Sequence, residues 1–348
     1  MYTHLADVPL SSGETLTCGV VLAPDAEWAP RIKPFLAHKQ PKWRSHIEAA
    51  LERPLDALET RFYVGTLGGP VGPLITLVMV AGAQRPAGRV GLLGYVFTAP
   101  EHRGKGAYTA LMSHQMEDCR RAGFTILTLT TQRDSTAWRI YERFGFRADH
   151  PTTSGRMHWY AHPKAEEDWF RPSPVTVQPM VWDDWPALNL TATRVPVDSE
   201  REDPPRSWHL HLPSHNTAEG TFSDALPAWA QSLGRRPRER ATHALTFRSE
   251  TGAVAGWLIA VPDKLTLSEA LHIDFYLHPH FVQLGAPVLQ EALRILPDDR
   301  PLTAYVTDPA RYRATVLRQA GFAPAGTLPN WLPVEGALLD VHAYLKRR

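Results

Sequence analysis

Two stretches of this chain run through the same succession of hydrophobic periods, and that recurrence limits its fold more than any other feature. In the first half, Arg61–Thr66, Leu74–Val80 and Val90–Thr98 are rich in Val, Leu, Ile and aromatic residues, as strands are, with a turn at Pro70–Pro73. The period then lengthens. Tyr108, Leu111, Met112 and Cys119 fall at helical spacing, and Gly123 stands where a helix-ending residue is expected. Thr125–Thr131 alternates like a strand, Ser135–Phe144 reads as a helix and Arg156–Tyr160 as a final strand. In the second half, Ala241–Arg248, Val254–Val261 and Leu271–Leu277 are strand-like, Ala286–Leu296 helix-like, Leu302–Thr307 strand-like and Tyr312–Ala320 helix-like. Pro100 and Gly106 recur as Pro279 and Gly285 at an offset of 179, and Gly145-Phe146 recurs as Gly321-Phe322 at an offset of 176. A short contraction between two matched anchors predicts a duplicated domain.

Strands followed by a strand–helix–strand–helix–strand run predict an α/β chain with a mixed sheet and helices packed on it. The charged, proline-bearing segment Ala161–Pro174 is the best boundary, giving domains at 1–165 and 174–348. A chain of 348 residues accommodates two domains, at roughly 100–200 residues each. Two tracts inside the second half, Val197–Ser214 and the cationic Gly234–Arg240, read as irregular loops.

The informative segment is Thr98–Tyr108, TAPEHRGKGAY, lying between a strand and a helix. Gly104 and Gly106 allow a tight turn and a close backbone approach to a ligand. The loop feeds a helix whose first amides lack intrahelical partners, which suits phosphate oxygens, and Arg103 and Lys105 add positive charge there.

This segment resembles the GNAT acetyltransferase superfamily, whose acetyl-CoA pyrophosphate loop reads Q/R-x-x-G-x-G/A. Thr98 stands where Val or Leu is usual, and Glu101 where Gln or Arg is usual. A second family element, A-x-x-x-Y-x-x-x-G-F, is present as Ala137, Tyr141, Gly145 and Phe146, while Asp134 replaces the usual Asn. The resemblance spans about Arg61–Tyr160, and the second half resembles the same fold without its cofactor loop. It implies two tandem GNAT-type folds, acetyl-CoA as cosubstrate, and direct attack by a primary amine of a small molecule or peptide. It also implies that Phe97 and Thr98 meet the pantetheine arm, and that Arg103, Gly104, Lys105, Gly106, Ala107 and Tyr108 hold the pyrophosphate. Asp134 stands at a further cofactor contact. Tyr141 stands where the departing thiolate is protonated, and a phenol with pKa near 10 is able to donate.

The strand Val90–Thr98 has no side chain suited to act as base; Glu59, His102, His114, His150 and His158 are the candidates. In the second half Val282, Gln283, Leu284, Pro287 and Leu317 replace Arg103, Gly104, Lys105, Tyr108 and Tyr141, so no cofactor is expected there.

Several classes are set aside. A hydrophobic content of 43% with 21% charged residues is that of a folded chain rather than a disordered one. A formal net charge of +1 argues against a nucleic-acid partner. The longest apolar run, Leu74–Ala83, is half of what a bilayer requires, and Met1–Ser12 does not read as a secretory signal, so a cytoplasmic enzyme without a membrane partner is expected. Two cysteines, Cys18 and Cys119, exclude a disulfide scaffold, and no metal is expected. The competing reading is a non-catalytic module that binds an acyl-CoA as a sensor.

Overall fold

The computed structural model describes residues 1–39, 41–148, 156–191, 243–263, 269–296, 299–307, 311–334 and 337–347. It divides into two compact units, Met1–Trp169 with Val181–Asn189, and Phe170–Met180 with Leu190–Arg348. The tracts Val197–Ser214 and Gly234–Arg240 lie outside the described residues.

The first unit is built on an eight-stranded sheet. Strands β1 (Tyr2–Pro9), β2 (Thr15–Leu22), β3 (Glu59–Leu67), β4 (Leu74–Arg85) and β5 (Gly88–Thr98) pair antiparallel in chain order. β5 runs parallel to β6 (Phe124–Thr130); the sheet ends with β7 (Arg147–Ala148) outside β8 (Arg156–Tyr160). Helices α1 (Ala29–Phe35) and α2 (Pro41–Glu52) separate β2 from β3, α3 (Ala107–Arg121) joins β5 to β6, and α4 (Thr136–Arg143) follows β6.

Every residue of β4 from Ile75 to Ala83 is buried, so both faces of this central strand are covered. That is why its sequence is an unbroken apolar run rather than an alternation. α3 lays Leu111, Met112, Met116 and Cys119 into a core shared with Cys18, Val20, Tyr63, Val78 and Val80. Cys119 is therefore a packing residue, its thiol pushed up to about 12 by burial. Ser135 caps α4 by accepting the Trp138 amide at 3.2 Å. Gly145, at φ 90°, ends the helix with the Gly145 and Phe146 amides donating to the Glu142 and Tyr141 carbonyls.

The second unit repeats this plan. β9 (Val175–Pro179), β10 (His243–Ser249), β11 (Val254–Pro262) and β12 (Leu271–Leu277) are antiparallel, β12 runs parallel to β13 (Leu302–Thr307), and β14 (Ala323–Val334) lies outside β15 (Ala337–Lys346). The helices Gly285–Ile295 and Arg311–Gln319 occupy the chain positions of α3 and α4. Gly321, at φ 89°, closes its helix as Gly145 does, with the Gly321 and Phe322 amides donating to the Arg318 and Leu317 carbonyls. The α/β class and the mixed sheet expected from the periods are what both units adopt. Among the described residues no helix is long and apolar enough to cross a membrane.

The second unit carries a buried ion pair beside its parallel strands. The parallel register of β12 with β13 consists of Leu271↔Leu302 and His272↔Thr303. Just past it, the buried Asp274 carboxylate accepts a hydrogen bond from Arg313, whose guanidinium also faces the Phe275 ring at 5.3 Å. Burial pushes the Asp274 carboxyl up to about 6 despite the arginine. Breaking the pair from one side leaves a buried carboxylate uncompensated. Arg313→Leu should therefore cost about 3–5 kcal/mol, and the Asp274→Leu/Arg313→Leu double variant should recover most of it, as read from urea denaturation midpoints.

Candidate active site

The site begins where two parallel strands part. β5 and β6 share register only from Arg89↔Phe124 to Leu92↔Thr128, yet β5 continues to Thr98. Within that continuation Tyr95 adopts φ 55°, and the register against β4 shifts between Leu77 and Met79, the signature of a bulge. Beyond the bulge, the Ala99 amide donates to the Ile75 carbonyl at 2.9 Å. Because successive residues of a strand present their backbone groups to opposite sides, Phe97 also faces β4, while Val96 and Thr98 face the edge that β6 has left. The contacts agree with this. The Thr98 carbonyl accepts Arg103 Nε at 3.0 Å, and the Val96 carbonyl accepts Lys39 Nζ at 3.5 Å.

The next residues form a concave run of amides. A short 3₁₀ turn, Pro100–His102, leads into Gly104 at φ 76° and Gly106 at φ 85°, and Gly106 caps α3. A Cβ at either glycine would meet nothing within 4 Å, so the backbone conformation selects glycine, and the space in front of it is open. The first amide of the helix to find a carbonyl is that of Ala110, donating to Gly106 at 3.0 Å. Among the described residues, the six preceding amides, 104–109, meet no protein acceptor. Six adjacent donors at the positive end of a helix form an anion cradle. It is held from outside: Ser11 Oγ donates to the Lys105 carbonyl at 3.3 Å, and Glu14 lies 3.6 Å from Lys105 Nζ. Arg103 is exposed, with its guanidinium 5.7 Å from the Phe97 ring.

Behind the cradle, Ala107 is buried and two tyrosines meet edge to face, Tyr108 and Tyr141, with ring centroids 6.2 Å apart. Tyr141 also packs against Phe146 at 5.8 Å. Burial pushes the Tyr141 phenol up to about 12, and that of Tyr108 upward as well, so both are protonated at neutral pH. The Tyr108 hydroxyl lies close enough to that of Tyr141 to affect its titration but makes no hydrogen bond of ordinary geometry. Asp134, at φ 58°, is exposed and lies 3.8 Å from Arg133 Nε.

The candidate bases are scattered. Glu59 is clamped by Arg61 and Arg89, each at 2.5 Å, and registers through Gly82 with Gly91, seven residues and about 23 Å of strand from Thr98. His114 pairs with Glu117 on α3, and His158 is buried on β8 opposite Thr128. His150 lies outside the described residues. Of the five, His102 alone belongs to the loop itself, in its 3₁₀ turn.

A histidine that sequence reasoning passed over stands closer. The His38 ring lies 4.0 Å from that of Phe97, beside Phe35 at the end of α1. Burial, with the charges of Lys39 and then Arg103, lowers its pKa below the ordinary 6.5, so it is neutral and able to accept a proton at neutral pH. Its helix carries prolines at positions 30 and 34, which hid the helical period that would have drawn attention to it. A cleft of about 500 Å³ opens alongside, lined by Arg31, Pro34, Phe35 and Val71–Leu74.

Residues 60–148, which contain the parted strands, the cradle and the tyrosine pair, match the family model described as an acetyltransferase (GNAT) domain. The matched segment is similar to GNAT acetyltransferase domains. Solved structures similar to this chain include the ribosomal-protein-S5-alanine acetyltransferase of Vibrio fischeri (14% identity, 50% of this chain and 92% of that one, TM-score 0.38). Another is spermidine N-acetyltransferase from Vibrio cholerae in complex with CoA and spermine (12% identity, 49% and 94%, TM-score 0.37). A third is a GNAT-family acetyltransferase of Streptococcus pneumoniae (16% identity, 50% and 98%, TM-score 0.36). No curated protein matches the chain.

The corresponding stretch of the second unit is built differently from that of the first. A longer 3₁₀ segment, Pro279–Leu284, runs straight into its helix, and Gly285 has helical φ −56°. A Cβ there would strike the Tyr312 hydroxyl and Val316, so this glycine serves helix packing rather than a ligand. Tyr312 donates to the Val282 carbonyl at 2.8 Å, tying that segment down.

Two outcomes are expected from calorimetry with CoA. Gly104→Val or Gly106→Val should abolish binding through backbone strain and loss of the open approach, and Arg103→Ala should weaken it. The intact chain should bind a single equivalent. Unchanged affinity in the glycine variants would remove the loop from the site.

Proposed function

We propose that the chain is an acetyl-CoA-dependent N-acetyltransferase, acting on a primary amine of a small molecule or peptide by direct attack. A cofactor-binding domain of residues 1–165 precedes a GNAT-like domain of 174–348 that has lost the cofactor loop. The observation that carries this reading is the run of six unclaimed amides at 104–109, set immediately beyond a β5 edge stripped of its β6 partner. A phosphate-bearing ligand with an extended amide-containing arm is complementary to both.

In this reading the amides of Gly104–Thr109 and the α3 dipole hold the pyrophosphate, with Arg103 and Lys105 supplementing the charge. The edge groups of Val96 and Thr98 bond the pantetheine amides, and backbone donors near Phe97–Thr98 polarise the thioester carbonyl. His38 receives the proton that the attacking amine must lose. Tyr141 donates a hydrogen bond to the departing sulfur. A phenol held at about 12 is a weaker acid than an ordinary thiol near 8.5, so full proton transfer is uphill by about 5 kcal/mol. Tyr141 thus stabilises the thiolate chiefly as a donor.

The reading is tested by thiol release from acetyl-CoA across a panel of primary amines. Amine-dependent release supports catalysis; tight CoA binding with no amine-dependent release supports the sensor alternative. Tyr141→Phe should leave folding and CoA affinity intact and lower kcat by about 10²-fold, near the low end for proton-transfer catalysis. At saturating amine, kcat should rise with pH through a pKa below the ordinary histidine value of 6.5, because His38 must be neutral to accept a proton. His38→Gln should lose that limb.

A further inference from the structure

Among the described residues, Lys39 is the one side chain outside the β5–α3 loop with a hydrogen bond to the open backbone edge of β5. It stands four residues beyond the last residue of α1, and its own amide donates to the carbonyl of the helix cap, Leu36, at 3.0 Å, which ties its backbone to the end of that helix. From there Nζ extends to the Val96 carbonyl at 3.5 Å, one residue from Phe97. That carbonyl belongs to the edge assigned above to the pantetheine arm. The preceding residue, His38, packs against Phe97 at 4.0 Å between ring centroids. The other lysines with a described partner are held elsewhere: Lys33 by Glu52 at 2.6 Å, Lys105 by Glu14 at 3.6 Å, and Lys346 by the Ala320 carbonyl.

We infer that Lys39 is a self-acetylation site, modified by the acetyl-CoA bound to its own chain. The inference rests on the acetyl-CoA reading given above. Uncharged Nζ attacks the thioester carbonyl carbon; the C–N bond forms as the C–S bond breaks. CoA leaves as the thiolate and takes up, at sulfur, the proton that the nitrogen gives up. Acetyl-CoA is the only co-reactant, and the products are an amide at Lys39 and free CoA. Burial lowers the Lys39 pKa, which raises the fraction of Nζ in the attacking form, and neutral His38 adjoins it as a proton acceptor. Delivery to a nucleophile already in place replaces a bimolecular encounter, and positioning of this kind readily exceeds 10²-fold in rate.

The test uses the full chain, isotopically labelled acetyl-CoA and peptide mass spectrometry over its seven lysines. Exposed Lys164 serves as the reference for uncatalysed modification. Lys39 should gain label ~10²-fold faster than Lys164. Excess desulfo-CoA, which occupies the site without an acyl group, should suppress labelling at Lys39 and leave Lys164 unaffected. Lys39→Arg should lose the fast modification with CoA affinity retained by calorimetry. Labelling of Lys39 at the Lys164 rate, or labelling insensitive to desulfo-CoA, would overturn the inference while leaving the acetyltransferase reading intact. Absence of CoA binding to the wild-type chain would instead bring down that reading, and this inference with it.

Discussion

The arrangement of the N-terminal unit depends on one interrupted ladder. Four residues of β5 pair with β6, and then the two strands separate while β5 continues. A buried backbone group without a partner costs about 1–3 kcal/mol, so a strand edge abandoned inside a sheet is tolerated only where something else meets it. Here Arg103 and Lys39 take two of the exposed carbonyls. The bulge at Tyr95 turns the remaining backbone outward, and β5 ends where α3 begins, so the unclaimed amides of the helix follow the unclaimed edge of the strand. The tyrosine pair lies behind the cradle because α3 and α4 both start at this end of the sheet. Loop, edge and aromatic pair are consequences of one parting.

Much of this could be read from residues alone, and the reasons for the exceptions are physical. β12 and β13 are found at the bounds their composition predicts, Leu271–Leu277 and Leu302–Thr307, because strands buried within a sheet are dense in apolar residues. The strands that went unread include every sheet edge. β1 carries an irregular burial pattern, β7 is two residues long, β9 is short, and β14 includes Pro324, Pro329 and Pro333, which an edge strand accommodates and a central one does not. β2 and β15 lie inside their sheets but outside the recurring run of periods at 61–160 and 241–320, so the recurrence does not mark them. The cradle was legible because glycines at positive φ and a following helix leave a local mark. His38 was not, since its proximity to Phe97 is set by how α1 packs on the sheet, and no local period encodes that.

The second unit shows how little of the scaffold must change for the site to change its character. Its strands and helices follow the same order, and its second helix ends at Gly321 by the same hydrogen bonds that end α4 at Gly145. The differences that bear on the site lie at the corresponding parting, where the 3₁₀ segment is longer, Gly285 is helical and a few side chains change. Asp274 and Arg313 pair with each other there, and Tyr312 donates to the Val282 carbonyl. A buried ion pair of this kind adds little net stability, because desolvation offsets most of the attraction.

Gly285 carries a lesson about tracing descent. It aligns with the cap of the phosphate cradle, yet it is retained in a helical conformation because the Tyr312 hydroxyl occupies the place of its missing side chain. A glycine can be fixed by a neighbour rather than by a ligand, once that neighbour fills the place of its side chain. From then on the two residues are bound to each other: reversing either alone creates a collision or a hole. Among related sequences, the pair at 285 and 312 should therefore vary together.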